Sequence, residues 1–85
     1  MARIVLYTVM GCGYCHAARK LLKEKGIEFE EKDITFTPEM RDELAKMSGG
    51  ERSVPQIYID GKYRGQDDEL RELIDSGELD EILKM

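Results

Sequence analysis

Cys12 and Cys15 are the only cysteines of the chain, and they frame the segment Cys12-Gly13-Tyr14-Cys15. Two thiols at this spacing can bind a metal, attach a haem or exchange electrons as a dithiol. A structural zinc site needs four ligands, whereas the chain offers two cysteines and one histidine, His16. Cys12–His16 also reads C-x-x-C-H, the covalent haem motif. That chemistry belongs to exported proteins, and the apolar stripe of the following helix leaves no haem pocket. Dithiol exchange has the fewest requirements, because it needs one reactive thiolate and a second thiol within reach. The pair falls where an apolar segment ends and a helix begins. Unpaired N–H groups and the helix dipole favour an anion there. Cys12 is therefore expected to be the attacking thiolate. Cys15, one turn further on, is expected to be the more buried thiol that closes a disulfide with Cys12 and releases the substrate. His16 is expected to face solvent, and Tyr14 to pack at the rim or touch substrate.

The elements that position this pair follow from periodicity. Ala2–Thr8 reads as a strand apolar on both faces, as in a sheet covered on both sides. A helix runs from about Gly13 to Lys25, with Tyr14, Ala17, Ala18, Leu21 and Leu22 as its stripe and Gly26 as terminator. Ile27–Ile34 alternates as a second strand. Thr37-Pro38 predicts a helix start, with Thr37 as cap and Pro38 in the first turn. Met40, Leu44 and Met47 line that helix, and Gly49-Gly50 ends it. Val54–Asp60 is a third strand, joined by the turn Asp60-Gly61 to a fourth, Lys62–Arg64. A last helix begins near Asp67 and uses Leu70, Leu73 and Ile74. Gly77 interrupts it before a final turn or two containing Leu79, Ile82 and Leu83. This order, βαβαββα, predicts an α/β fold: a four-stranded mixed sheet with helices on both faces and a right-handed crossover between the first two strands.

A chain of 85 residues is expected to be one domain, residues 1–85. At this size roughly 60–65% of the unfolded chain's surface is buried, enough for one modest core. The net charge of −5 argues against nucleic acid and against anionic membrane, both of which reward basic patches. Arg19, Lys20, Lys23 and Lys25 follow the cysteines, while Asp67–Glu81 is mostly acidic; both read as solvated helix faces. Ile4–Met10 is too short to span a bilayer and runs into the cysteine motif instead of a cleavage site. A cytoplasmic monomer is expected. In that compartment a closely spaced cysteine pair is catalytic or metal-binding rather than structural.

The combination of Cys12-Gly13-Tyr14-Cys15 at a helix start, Ser53-Val54-Pro55-Gln56-Ile57-Tyr58-Ile59-Asp60-Gly61, and Gly65 before an acidic helix resembles the glutaredoxin family of the thioredoxin fold, over essentially the whole chain. The resemblance implies a cis Val54–Pro55 bond facing the cysteines. It implies a groove for glutathione, with the backbone of Ser53 and Val54 on its cysteinyl part and Gln66 and Asp67 on its γ-glutamyl end. Gly65, Tyr14 and Pro55 shape that groove, and Arg52, with Arg41 as a weaker candidate, faces a carboxylate. It further implies reduction of protein disulfides or glutathione-mixed disulfides, with no bound cofactor and with glutathione or a flavoprotein reductase as electron source. Three positions depart from the family pattern. Gly13 replaces the motif proline, Val9 replaces a lysine, and Arg64 replaces the first of two glycines. The first departure leaves a second implication open, a [2Fe–2S] carrier in which Cys12 of two chains and glutathione hold the cluster.

Overall fold

A computed structural model describes residues 3–84. The elements run β1 (Ile4–Thr8), α1 (Gly13–Glu24), β2 (Glu30–Asp33), α2 (Glu39–Ser48), β3 (Gln56–Ile59), β4 (Lys62–Gly65), α3 (Asp67–Asp75) and α4 (Glu78–Leu83). The sheet order is β2-β1-β3-β4. β1 runs parallel to β2 and antiparallel to β3, and β4 is antiparallel to β3. The mixed sheet expected from the sequence is present, and β1 lies in its interior, which explains its apolar run.

Each face of the sheet has its own apolar layer. On one side Ile4, Leu6, Ile57 and Ile59 pack with Ala18 and Leu22 of α1, Leu70 and Leu73 of α3 and Leu79 of α4. On the other, Tyr7 and Tyr58 pack with Ile34 and Leu44, and Val9 and Val54 border them. The alternation of strand side chains thus divides one short core into two layers. Tyr7 and Tyr58 meet edge to face, with ring centroids 5.3 Å apart, a geometry that aromatic quadrupoles favour.

Several boundaries differ from the sequence reading. Ala2 lies outside the described residues. β2 is only four residues long and all of them are exposed. Ile27 and Phe29 do pack on the core, but they precede the strand. β3 begins at Gln56 because Pro55 has no N–H to give to the ladder. Thr37 closes the first turn of α2 with its carbonyl, which accepts the Met40 N–H at 2.9 Å, and Pro38 occupies the cap position. Gly77, at φ 80°, splits the last helical segment into α3 and α4. Tyr14 is not part of the buried stripe: it is 69% exposed, and α1 meets the core through Cys15, Ala18 and Leu22. Met47 is also exposed.

Candidate functional site

The first wall of the site is the junction of β1 and α1. Gly11 turns the chain with φ 78°, a conformation that costs a residue with a Cβ. Cys12 then caps α1 in an extended conformation, φ −89° and ψ 114°. Its Sγ accepts the Cys15 N–H at 3.2 Å, and its carbonyl accepts the His16 N–H at 3.1 Å. The sulfur therefore takes up one of the N–H groups that a helix start leaves unpaired, the environment the sequence reading required of a thiolate. Cys12 is partly exposed, whereas Cys15 is 1% exposed. Burial pushes the Cys15 thiol up to about 12, and its hydrogen bond with Cys12 adds to the effect; the Val9 backbone and Arg19 oppose it. One thiol is thus offered to solvent and the other is held neutral beneath it. His16 faces solvent, as expected.

The second wall is the loop before β3. The Val54–Pro55 bond is cis, and the Val54 carbonyl lies 4.0 Å from Cys12 Sγ. Buried Gln56 fixes this loop from below. Its Nε2 donates to the carbonyls of Glu51, at 2.8 Å, and Ser53, at 3.0 Å. Its Oε1 accepts the Tyr58 hydroxyl at 2.9 Å. The Glu51 carboxylate accepts the Ser53 N–H at 3.0 Å and also the Ser53 hydroxyl, and these bonds lower the carboxyl's titration.

The third wall is the start of α3. Gly65 is buried with φ 110°. A Cβ built on it would lie 2.5 Å from Glu69 Cβ, so only glycine fits. The Gln66 N–H donates to Glu69 Oε2 at 3.1 Å. Gln66 Nε2 donates to the Ser53 carbonyl at 3.4 Å, tying this wall to the second. Asp67 is the first residue of α3 and is partly exposed.

The structure therefore brings Cys12, Cys15, Ser53, Val54, Pro55, Gly65, Gln66 and Asp67 to connected walls, with exposed Tyr14 in the first turn of α1. It does not leave Arg52 free, because Nη1 pairs with Asp42 at 2.5 Å on an exposed surface. Arg41 donates to the Arg52 carbonyl at 3.2 Å. Arg64 reaches Glu78 of α4 at 3.4 Å, away from the cysteines. Val9 is half-buried against the Tyr7–Tyr58 layer and supplies no charge. Among the described residues no group of three or more His, Cys, Asp and Glu side chains is placed to hold a metal.

Sequence reasoning assigned Arg19 to a solvated face. Instead, its Nε and Nη2 grip Glu31 at 2.6 and 2.7 Å, and buried Thr8 donates to the same carboxylate at 3.0 Å. Arg19 also lines a cleft of about 520 Å³ together with Cys12, His16 and Asp33. The available signal was its position four residues after Cys15, on the same helical face.

Comparison with known proteins places this geometry. The family model "Glutaredoxin" matches residues 4–64. The chain belongs to the glutaredoxin family. It is 43% identical to glutaredoxin 3 of Escherichia coli K12 over 84 residues, 99% of this chain and all of that one. It is 42% identical to glutaredoxin 1 of Rickettsia conorii, over 95% of this chain and 80% of the relative. Among solved structures, the glutaredoxin of Brucella melitensis is 44% identical and superposes with a TM-score of 0.83, covering 99% of this chain and 90% of that one. The buckwheat glutaredoxin–glutathione complex is 26% identical with a TM-score of 0.87, covering 98% and 77%. The thioredoxin-like fold and the thiol–disulfide oxidoreductase function expected from the sequence both stand on these matches. Among the described residues no helix is long and apolar enough to cross a membrane.

Proposed function

We propose that this chain is a single-domain, monomeric glutaredoxin that reduces protein disulfides and glutathione-mixed disulfides, with glutathione returning it to the dithiol. The observation that carries the reading is the asymmetry of the two thiols. Cys12 is partly exposed and accepts a helix N–H, while Cys15 is buried and pushed up to about 12. Cys12 attacks the substrate sulfur, forms a mixed disulfide and releases the first thiol. Cys15 then attacks Cys12 Sγ, closes the intramolecular disulfide and releases the second thiol, which takes the proton.

Glutathione, seen in the buckwheat structure, would lie along the second and third walls. Extended peptide recognition needs a free backbone edge. The turn at Val54–Pro55 lies beside Cys12 and supplies that edge, while the start of α3 provides N–H groups for a carboxylate. Asp67 meets the ammonium, Gln66 and Ser53 complete the polar contacts, and Tyr14 covers the rim. A dithiol regenerated by reduction suits a reducing compartment, the cytoplasm.

The test is a coupled assay on hydroxyethyl disulfide with either glutathione and its reductase or a thioredoxin reductase. Turnover with glutathione supports the reading. Turnover only with the flavoprotein reductase would replace glutathione as the reductant, and no turnover with either would overturn the redox assignment.

A further inference from the structure

The proposed sequence of steps has an unmet requirement. Cys15 must become a thiolate to resolve the mixed disulfide, yet it is 1% exposed and burial favours its neutral form. A buried thiol can act as a nucleophile when a fixed positive charge stands beside it. The surroundings of α1 contain such a charge. Cys12 at the cap of α1, and His16 and Arg19 within it, share a cleft with Asp33 of β2. The neighbouring β2 residue Glu31 is gripped by Arg19. Elsewhere α1 packs on apolar side chains: Ile4 and Leu6 of β1, and Leu70 and Leu73 of α3.

Arg19 is not a freely waving surface cation. Its guanidinium is held two-pronged by Glu31, and the two side chains are 29% and 28% exposed. Two parallel N–H···O bonds fix the plane of a guanidinium as well as its position. Glu31 is fixed in turn, because Thr8, 1% exposed, donates to its Oε2. The parallel register sets Thr8 opposite Asp33 and Leu6 opposite Glu31, so the carboxylate rises from the strand beside β1. A chain of contacts therefore runs from the sheet to the dithiol helix: Thr8 to Glu31 to Arg19, one turn beyond Cys15.

We infer that Arg19, held in place by Glu31 and Thr8, is a positioning residue for the second step: its charge supports the Cys15 sulfur as that sulfur attacks Cys12. The inference rests on the dithiol reading given above. The step itself is Cys12–S–S–R plus Cys15–SH giving the Cys12–Cys15 disulfide plus R–SH. The bond from Cys12 to the substrate sulfur breaks, the bond from Cys12 to Cys15 forms, and the thiol proton passes to the departing sulfur. The first step needs no part of this device. Cys12 is partly exposed and has the Cys15 N–H as its donor. Arg19 is the side-chain charge that favours the ionised form of Cys15, in opposition to the effect of Cys12. Asp33 draws on the same guanidinium, so Glu31 is needed to hold Arg19 in one orientation.

The experiment is single-turnover quench-flow with hydroxyethyl disulfide, reading the mixed disulfide at Cys12 by mass spectrometry across pH. Arg19→Met should lengthen the lifetime of that intermediate by up to about five-fold near neutrality, the effect of a partly exposed charge that is already paired. It should also move the pH profile of its decay to higher pH. Arg19→Lys, which keeps the charge, should restore most of the rate. Capture of the disulfide, read in a Cys15→Ser background, should be the same with and without Arg19→Met. An unmoved pH profile, or equal slowing of capture and decay, would overturn the inference. Should Arg19→Met not fold, Arg19→Gln decides by the same profile. If the wild type forms no mixed disulfide at Cys12, the dithiol reading has failed instead.

Discussion

Gly65→Ala tests the third wall, and its cost follows from two separate observations. The residue has φ 110°, a region where a side chain costs of order 1–3 kcal/mol. The added methyl would stand 2.5 Å from Glu69 Cβ, 2.6 Å from Cγ and 2.9 Å from Cδ. The first of these atoms is fixed to the helix backbone, so rotation of Glu69 cannot relieve the overlap. Moving α3 instead breaks the bond from the Gln66 N–H to Glu69 Oε2, worth about 1 kcal/mol. The sum is roughly 2–4 kcal/mol, which in a domain of this size lowers Tm by roughly 10–25 °C. Urea denaturation of Gly65→Ala, Glu69→Gly and the double variant forms the decisive cycle. Glu69→Gly removes the opposing atoms at the cost of about 1 kcal/mol for a helical glycine and the lost hydrogen bond. If the overlap is the cause, the double variant is more stable than the two single losses predict, by at least about 1 kcal/mol. Strict additivity, or a single-variant loss below about 1 kcal/mol, would refute the steric reasoning. Since Gln66 also holds the Ser53 carbonyl, the variant should raise KM for a glutathione-mixed disulfide more than it lowers kcat.

Cys12→Ser should abolish turnover on every disulfide, whereas Cys15→Ser should accumulate a mixed disulfide at Cys12 detectable as an added substrate mass. Val9→Lys adds a cation beside the proposed groove and should raise kcat/KM for glutathione-mixed disulfides by up to about five-fold, the effect of an exposed charge contact, with the gain shrinking in salt. Arg52→Ala should lower kcat/KM by less than that, because Arg52 is exposed and already paired with Asp42. The reduced protein should lose stability in alkali. Cys15 is raised from 9.0 to about 12 on folding, so its contribution is full below about pH 9 and declines as pH rises toward 12; a Cys15→Ala variant should lack this decline in chemical denaturation across that window.

What the sequence showed of this molecule is what local pattern can carry. The dithiol, its place at a helix start and the buried resolver follow from residue type and spacing, since a helix fixes which neighbours share a face. The proposed glutathione walls at Ser53, Val54, Gln66 and Asp67 were legible through motif resemblance, and the bond from Gln66 Nε2 to the Ser53 carbonyl joins two of them in a way no local pattern could give. Tyr14 was misplaced for the same reason: a helical stripe shows which residues could face a core, but not where along the helix the core begins. Arg52 was read as a groove cation and Arg64 as a departure from a glycine, and each is turned to a carboxylate, Asp42 or Glu78, that becomes a neighbour only after folding. β2 gives the clearest case. Its four residues are all charged and all exposed, so no hydrophobic period marks the strand. Its pairing with β1 nevertheless sets Glu31 where Thr8 and Arg19 reach it. Charge on that edge strand protects an open sheet edge from pairing with other chains, and the same residue type meets the cation behind the dithiol. A single parallel register therefore gives Glu31 two tasks, and a shift of one residue would turn its carboxylate to the opposite face and separate it from Arg19.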